Sequence, residues 1–124
     1  MTDGECSHAI PMSPEAVFDV IANSRRRRVI LSVDRRDGPV SANELSTEIA
    51  ARETEVDPSQ VTGEQRSGVY VTLVQNHLDT LDDLGAASYD SRSKQVSPTE
   101  ATGPLARLIR QITTDCYTPK ETDE

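Results

Sequence analysis

Residues 62–85 constrain the fold of this chain more tightly than any other stretch. Thr62-Gly63-Glu64-Gln65 has the form of a capping box, in which the Thr hydroxyl accepts from the amide three residues on and the Gln side chain reaches back to the Thr amide. Gly85 stands where a helix needs a left-handed residue to stop it. Between them, at 100° per residue, Tyr70, Leu73, Val74, His77, Leu78, Leu81 and Leu84 share one face. Gly68, Thr72, Gln75, Asn76, Asp79 and Asp83 share the other. The stretch predicts one continuous helix over about residues 64–84, buried on one side and open on the other. Such a helix cannot hide its apolar face alone, so the rest of the chain must supply a second layer.

The remaining punctuation supplies that layer. Ser13-Pro14 reads as a helix start with Ser as N-cap, followed by Val17, Phe18 and Ile21 at helical spacing. Asn23-Ser24 interrupts, and a second helix through Arg25–Arg35 carries Val29, Ile30 and Val33 before Asp37-Gly38-Pro39 ends it. Val40 is a short extended link. Ser41-Ala42-Asn43-Glu44 is another capping box, opening a helix with Leu45 and Ile49 inward that stops near Arg52-Glu53. Residues 54–63 read as a loop. Ala87-Ser88-Tyr89 and Lys94-Gln95-Val96 suit a short hairpin around Asp90-Ser91-Arg92-Ser93. Leu105, Leu108, Ile109 and Ile112 then place an apolar stripe on a last helix. The expected division is a loose arm (1–12), a compact domain (13–98), a C-terminal amphipathic helix (99–116) and a disordered acidic tail (117–124).

This order of helix, helix, short strand, helix, helix, hairpin and helix is that of a winged helix-turn-helix, mainly α with a small β-hairpin wing (α+β). In that architecture the second helix of the pair presents its polar face to the DNA major groove, and the hairpin reaches the neighbouring backbone. Gln75 and Asn76 can pair with adenine and Thr72 can meet a thymine methyl, so these three are the expected base-reading residues. Arg25, Arg26, Arg27 and Arg28 are the one dense run of positive charge. At a helix start they oppose the helix dipole, so phosphate or nearby carboxylates must compensate them. Arg66, and Arg92 and Lys94 on the wing, complete the expected backbone contacts. The stripe Leu105, Leu108, Ile109 and Ile112 is the expected seam of a homodimer; packing onto the chain's own core is the alternative.

Composition sets limits on this reading. The 124 residues fit one domain. Three Tyr and one Phe are the only aromatics, so Val, Ile, Leu and Ala must build the core. A formal net charge of −8 opposes nucleic-acid binding. Lysine occurs twice and arginine eleven times, a balance typical of proteins from salt-loving cells. No apolar run approaches a membrane span and no secretory leader stands at the N-terminus, so a cytoplasmic protein is expected. Cys6 and Cys116 read as free thiols, and Cys6-Ser7-His8 offers two soft donors, too few for a zinc site. His77 reads as a hydrogen-bonded packing residue. No phosphate loop, nucleophile motif or H-E-x-x-H occurs, so neither an enzyme nor a cofactor or metal is expected.

The segment Val74-Gln75-Asn76-His77-Leu78-Asp79-Thr80-Leu81-Asp82-Asp83-Leu84-Gly85 resembles the end of the recognition helix in ArsR-type winged-helix regulators. With Ala22-Asn23-Ser24-Arg25-Arg26-Arg27-Arg28-Val29-Ile30, Gly38-Pro39-Val40-Ser41, Leu45, Glu48–Glu53 and Val69-Tyr70-Val71, the chain is similar over about residues 14–100 to an uncharacterised winged-helix family common in haloarchaea. The resemblance implies transcription regulation through double-stranded DNA. The paired cysteines of ArsR-type metal sensors are missing from Ala42–Glu53, so metal sensing is not implied. The alternative function is a winged-helix module that binds a protein partner without touching DNA.

Overall fold

A computed structural model describes residues 10–116. The expected N-terminal arm, Cys6, His8 and the acidic tail lie wholly or mostly outside those residues. Helix α1 (Pro14–Ile21) starts on Ser13, whose Oγ accepts from the Ala16 amide at 3.1 Å. Helix α2 (Ser24–Arg36) starts on Asn23, whose Oδ1 accepts from the Arg26 amide at 3.1 Å, and ends on a left-handed Asp37. Strand β1 (Val40–Ser41) runs directly into α3 (Ala42–Thr54). There Ser41 and Glu44 cap each other reciprocally. A 3-10 turn at Pro58–Gln60 leads to the second reciprocal cap, between Thr62 and Gln65.

The long helix predicted over 64–84 is present but not uniform. It comprises α4 (Gly63–Thr72), a π-helical segment at Leu73–His77, and α5 (Leu78–Leu84). The Leu78 amide reaches back five residues to the Leu73 carbonyl, so one extra residue is accommodated in that turn. The insertion explains a small misplacement. The wheel put Tyr70 on the buried face, whereas Val69 is buried and Tyr70 is half-buried. One added residue rotates everything before it by one position relative to everything after it. Gly85, at φ +83°, stops the helix, and the Ala86 amide closes onto the Leu81 carbonyl at 2.9 Å.

Strands β2 (Ala87–Asp90) and β3 (Gln95–Pro98) form the expected hairpin. Val40 is more than a link. It pairs with Val96, making a three-stranded antiparallel sheet in the order β1-β3-β2. The Ala42 amide also donates to the Lys94 carbonyl at 2.8 Å, so the turn of the hairpin is anchored to the start of α3. Sheet and helices enclose a single core that includes Val20, Val29, Ile30, Val33, Leu45, Ile49, Leu73, Leu78, Leu81 and Val96. The chain is thus mainly helical with a small antiparallel sheet.

Helix α6 (Thr102–Asp115) packs along α2. Thr102 fixes its start by donating to the Ala86 carbonyl at 2.7 Å and accepting from the Thr99 amide at 2.9 Å. Arg110 pairs with Asp34 of α2 at 2.9 Å. Leu105 and Ile109 are fully buried in the core of their own chain, and Leu108 packs half-buried against it. Leu105 and Ile109 thus follow the alternative of packing onto the chain's own core, since an amphipathic pattern cannot say whose surface it faces. Only Leu108 and Ile112 keep partly exposed surface.

Candidate functional site

The outer face of α4 and the π segment is exposed at Glu64, Gln65, Ser67, Gly68, Val71, Thr72, Gln75 and Asn76. Over this length, ~20 Å at 1.5 Å per residue, its exposed side chains carry one charge, Glu64. Charged residues make up 27% of the chain, so a face this free of them is distinctive. Beyond it Asp79, Asp82 and Asp83 make the far end acidic. Gln75 and Asn76 lie inside the π segment, where widening of the turn re-aims side chains. Asn76 Oδ1 accepts a long bond of 3.4 Å from Thr80. Thr72 is exposed, but its hydroxyl is committed: it donates to the Val69 carbonyl at 2.9 Å and accepts from Arg25 Nη1 at 2.7 Å.

The arginine run at the start of α2 is compensated within the molecule. Arg25 grips Glu53 with Nε and Nη2 at 2.7 and 2.8 Å, and the Glu53 hydrogen bond raises its already high pKa. Arg26 donates from Nε to His77 Nδ1 at 3.1 Å and from Nη1 to the Asp19 carbonyl at 3.2 Å. Arg27 donates to the Ile21 carbonyl at 2.6 Å. Those carbonyls belong to the last turn of α1, a negative dipole end that favours cations. Three of the four arginines expected to meet phosphate therefore have internal acceptors. None of these links is local in sequence, so the run alone could not reveal them. Arg28 is different, because its Nε is buried with no acceptor among the described residues.

His77 is 8% exposed and accepts through Nδ1, which fixes the neutral ring with its proton on Nε2. Burial, then the charges of Arg26 and Arg25, hold its pKa below the ordinary histidine value. It joins the π segment to α2 and is a packing residue. On the hairpin, Arg92 is exposed. Lys94 is half-buried with its Nζ turned to the Ser91 carbonyl at 2.7 Å, and its backbone is left-handed at φ +60°. Arg66 is half-buried on α4.

A second charged centre escaped the sequence reading. Glu48 of α3 accepts from Ser32 at 3.0 Å, Arg35 at 2.6 Å and Arg36 at 3.0 Å. Burial pushes its carboxyl up, but the bonds from Arg35 and Ser32 and the two positive charges outweigh burial and hold it below the usual carboxylate value. Glu48→Gln keeps the shape and removes the charge, and is expected to cost about 1–3 kcal/mol at neutral pH. A depressed folded-state pKa contributes stability that is complete above the unfolded value of about 4.3 and is lost as pH falls through the folded one. The stability gap between wild type and Glu48→Gln should therefore close on acidification below about pH 4. Denaturant titrations at several pH values measure it, and a gap that persists or widens in acid contradicts this role. Glu48 also lines an open groove of about 890 Å³ with Arg35, Arg36, Arg52, Val56 and Pro58.

Cys116, at the end of α6, is an exposed free thiol. Among the described residues no three His, Cys, Asp or Glu side chains cluster as metal ligands, and no helix is long and apolar enough to cross a membrane. A family model described as a domain of unknown function (DUF7344) matches residues 18–97, from α1 through β3. No curated protein and no solved structure matches the chain.

Proposed function

The chain belongs to the DUF7344 family, and from that premise, which carries no activity with it, we propose that it is a winged helix-turn-helix transcriptional regulator that binds double-stranded DNA. One observation carries the reading: the nearly uncharged, amide- and hydroxyl-bearing face of α4 and the π segment. It follows a helix–turn–helix and precedes a hairpin, as a recognition helix does. An acidic protein meets phosphate at a disadvantage, and only an uncharged strip lets it approach a groove. Gln75 and Asn76 are the base-reading side chains. Thr72 supports them through Arg25 and offers only its methyl to a base. Arg66, Arg92 and Lys94 serve the flanking backbone, with Arg92 at the tip of the wing.

The relation to ArsR-type regulators, the salt-loving, haloarchaeal source and the cytoplasmic setting belong to the same reading. Concentrated salt removes most of the gain from counterion release. Binding then depends on base contacts and on two half-sites engaged together, hence on a homodimer, for which α6 leaves Leu108 and Ile112. The test is selection of duplexes from a random pool at molar salt. The expected result is an enriched motif, with two half-sites if the protein binds as a dimer. A pool that emerges unenriched sinks the reading. It would favour the protein-partner alternative, for which the groove beside Glu48 is the specific feature.

A further inference from the structure

The π segment lies in a stretch of sequence that fits the core in two ways. In the observed register Val69 and Leu73 are buried, Tyr70 and Val74 are half-buried, and Val71 is left 47% exposed. If the turn at Leu73–His77 gave up its extra residue, everything ahead of it would rotate by about 100° and advance by ~1.5 Å relative to α5. Each residue would then take the place now held by the one before it. Tyr70 would replace Val69 in the core, Val74 would replace Leu73, and Val71 would take the half-buried place of Tyr70. The doublets Val69-Tyr70 and Leu73-Val74 thus offer an apolar side chain to each core place in either register. The uninterrupted register is also the one that the helical periodicity of residues 64–84 encodes by itself.

The hydrogen bonds to α2 divide at the same turn. His77, the last residue of the π segment, is held by Arg26, and Thr72, just ahead of the segment, is held by Arg25. A slip of α4 leaves His77 in place and carries Thr72 away from Arg25. The reciprocal cap of Thr62 and Gln65 is complete within four residues, so it travels with α4. Residues 55–60 ahead of it are exposed, so the slack falls on surface chain. Slipping moves Val69 and Leu73 to the exposed places of Gly68 and Thr72 and breaks the bond to Arg25, which keeps the observed register lower in energy.

We propose that this helix is a two-register switch, with the π register as its resting form and an uninterrupted α-helix as its second form, selected by duplex DNA. Arg66, now half-buried, comes in the second form to the exposed place of Gln65. Only that form turns a guanidinium onto the outer face, so a polyanion binds it better and shifts the population towards it. The two registers stand without DNA; their selection by duplex rests on the DNA-binding reading.

The experiment follows the full chain by NMR. Ala50 of α3 lines a small cleft of about 340 Å³ with Val69, and its methyl group reports which residue faces it. Wild type should show Ala50 against Val69, with residues 69–74 exchanging with a second state at one shared rate while Leu78 and Leu81 stay fixed. Val69→Thr is isosteric and puts a hydroxyl into the core in the π register alone, so it should raise the second population about tenfold and bring Tyr70 against Ala50. Thr72→Val releases Arg25 at the surface and should act in the same direction; if Val69→Thr unfolds, Thr72→Val decides alone. Residue 69 remaining against Ala50 in both variants, with no exchange in any of the three proteins, overturns the switch. Adding the selected duplex should move wild type to the Tyr70 contact. If the free variants slip and no duplex binds, the DNA reading fails and the two registers stand. If duplex binds, Gln75→Ala weakens it and residue 69 stays against Ala50 in the complex, the DNA reading stands and selection by duplex fails alone.

Discussion

Replacing Leu105 with alanine is expected to lower stability by about 2–5 kcal/mol, the range for a large aliphatic side chain removed from a packed core. Leu105 is 0% exposed and sits in the first turn and a half of α6, where Thr102 ties the helix to Ala86 and α2 covers it. The loss has two parts, the transfer of the side chain and the cavity it leaves, because α2 and the sheet are held by other contacts and cannot collapse inward. Leu108→Ala should cost less, since Leu108 is already half-exposed. Truncation after Pro98 should unfold the domain, because it uncovers the α2 face beneath Leu105, Ala106 and Ile109. Denaturant midpoints at fixed salt decide the matter. If α6 served only as a dimer seam and not as part of the core, the truncated chain would stay folded, which is not expected.

The matched family region ends at residue 97, before α6, yet α6 supplies core residues. Its stripe was legible as apolar and helical, but its partner was not. Period and composition specify that a face must be covered; they do not specify by what. The reciprocal caps at Ser41–Glu44 and Thr62–Gln65 lie at the other extreme. Both were legible because each is complete within four residues. The hairpin was legible for a similar reason, while the pairing of Val40 with Val96 was not, since it joins residues far apart in the chain.

The same distinction governs the candidate site. The exposed strip at Thr72, Gln75 and Asn76 followed from helical periodicity, which needs only neighbours. The π insertion hid within it, because one extra residue in a turn leaves the apolar residues on either side still clustered on one face; only the exchange of Val69 for Tyr70 betrays it. The arginine run showed that compensation was required and could not show where it came from. Its acceptors are Glu53, His77 and the end of α1, brought in by tertiary packing. Assigning all four arginines to phosphate followed from charge alone. The structure divides them into three with internal acceptors and one, Arg28, whose buried Nε has none among the described residues.

The central claim is that Gln75 and Asn76 read bases. Each good bidentate contact to a base contributes about 1–3 kcal/mol of discrimination, so removing one costs roughly five- to 150-fold in affinity for the correct site. Both side chains are exposed and neither contributes to the core, so alanine at either position should leave folding intact. The direct measurement compares wild type, Gln75→Ala, Asn76→Ala and the double variant on the selected duplex and on a scrambled duplex of the same length, at one molar-range salt concentration. The account predicts that each variant loses affinity for the selected duplex and that the double variant loses most. Affinity for the scrambled duplex should stay within about twofold, because base contacts specify while phosphate contacts position. Equal affinity of all four proteins for the selected duplex would contradict the account.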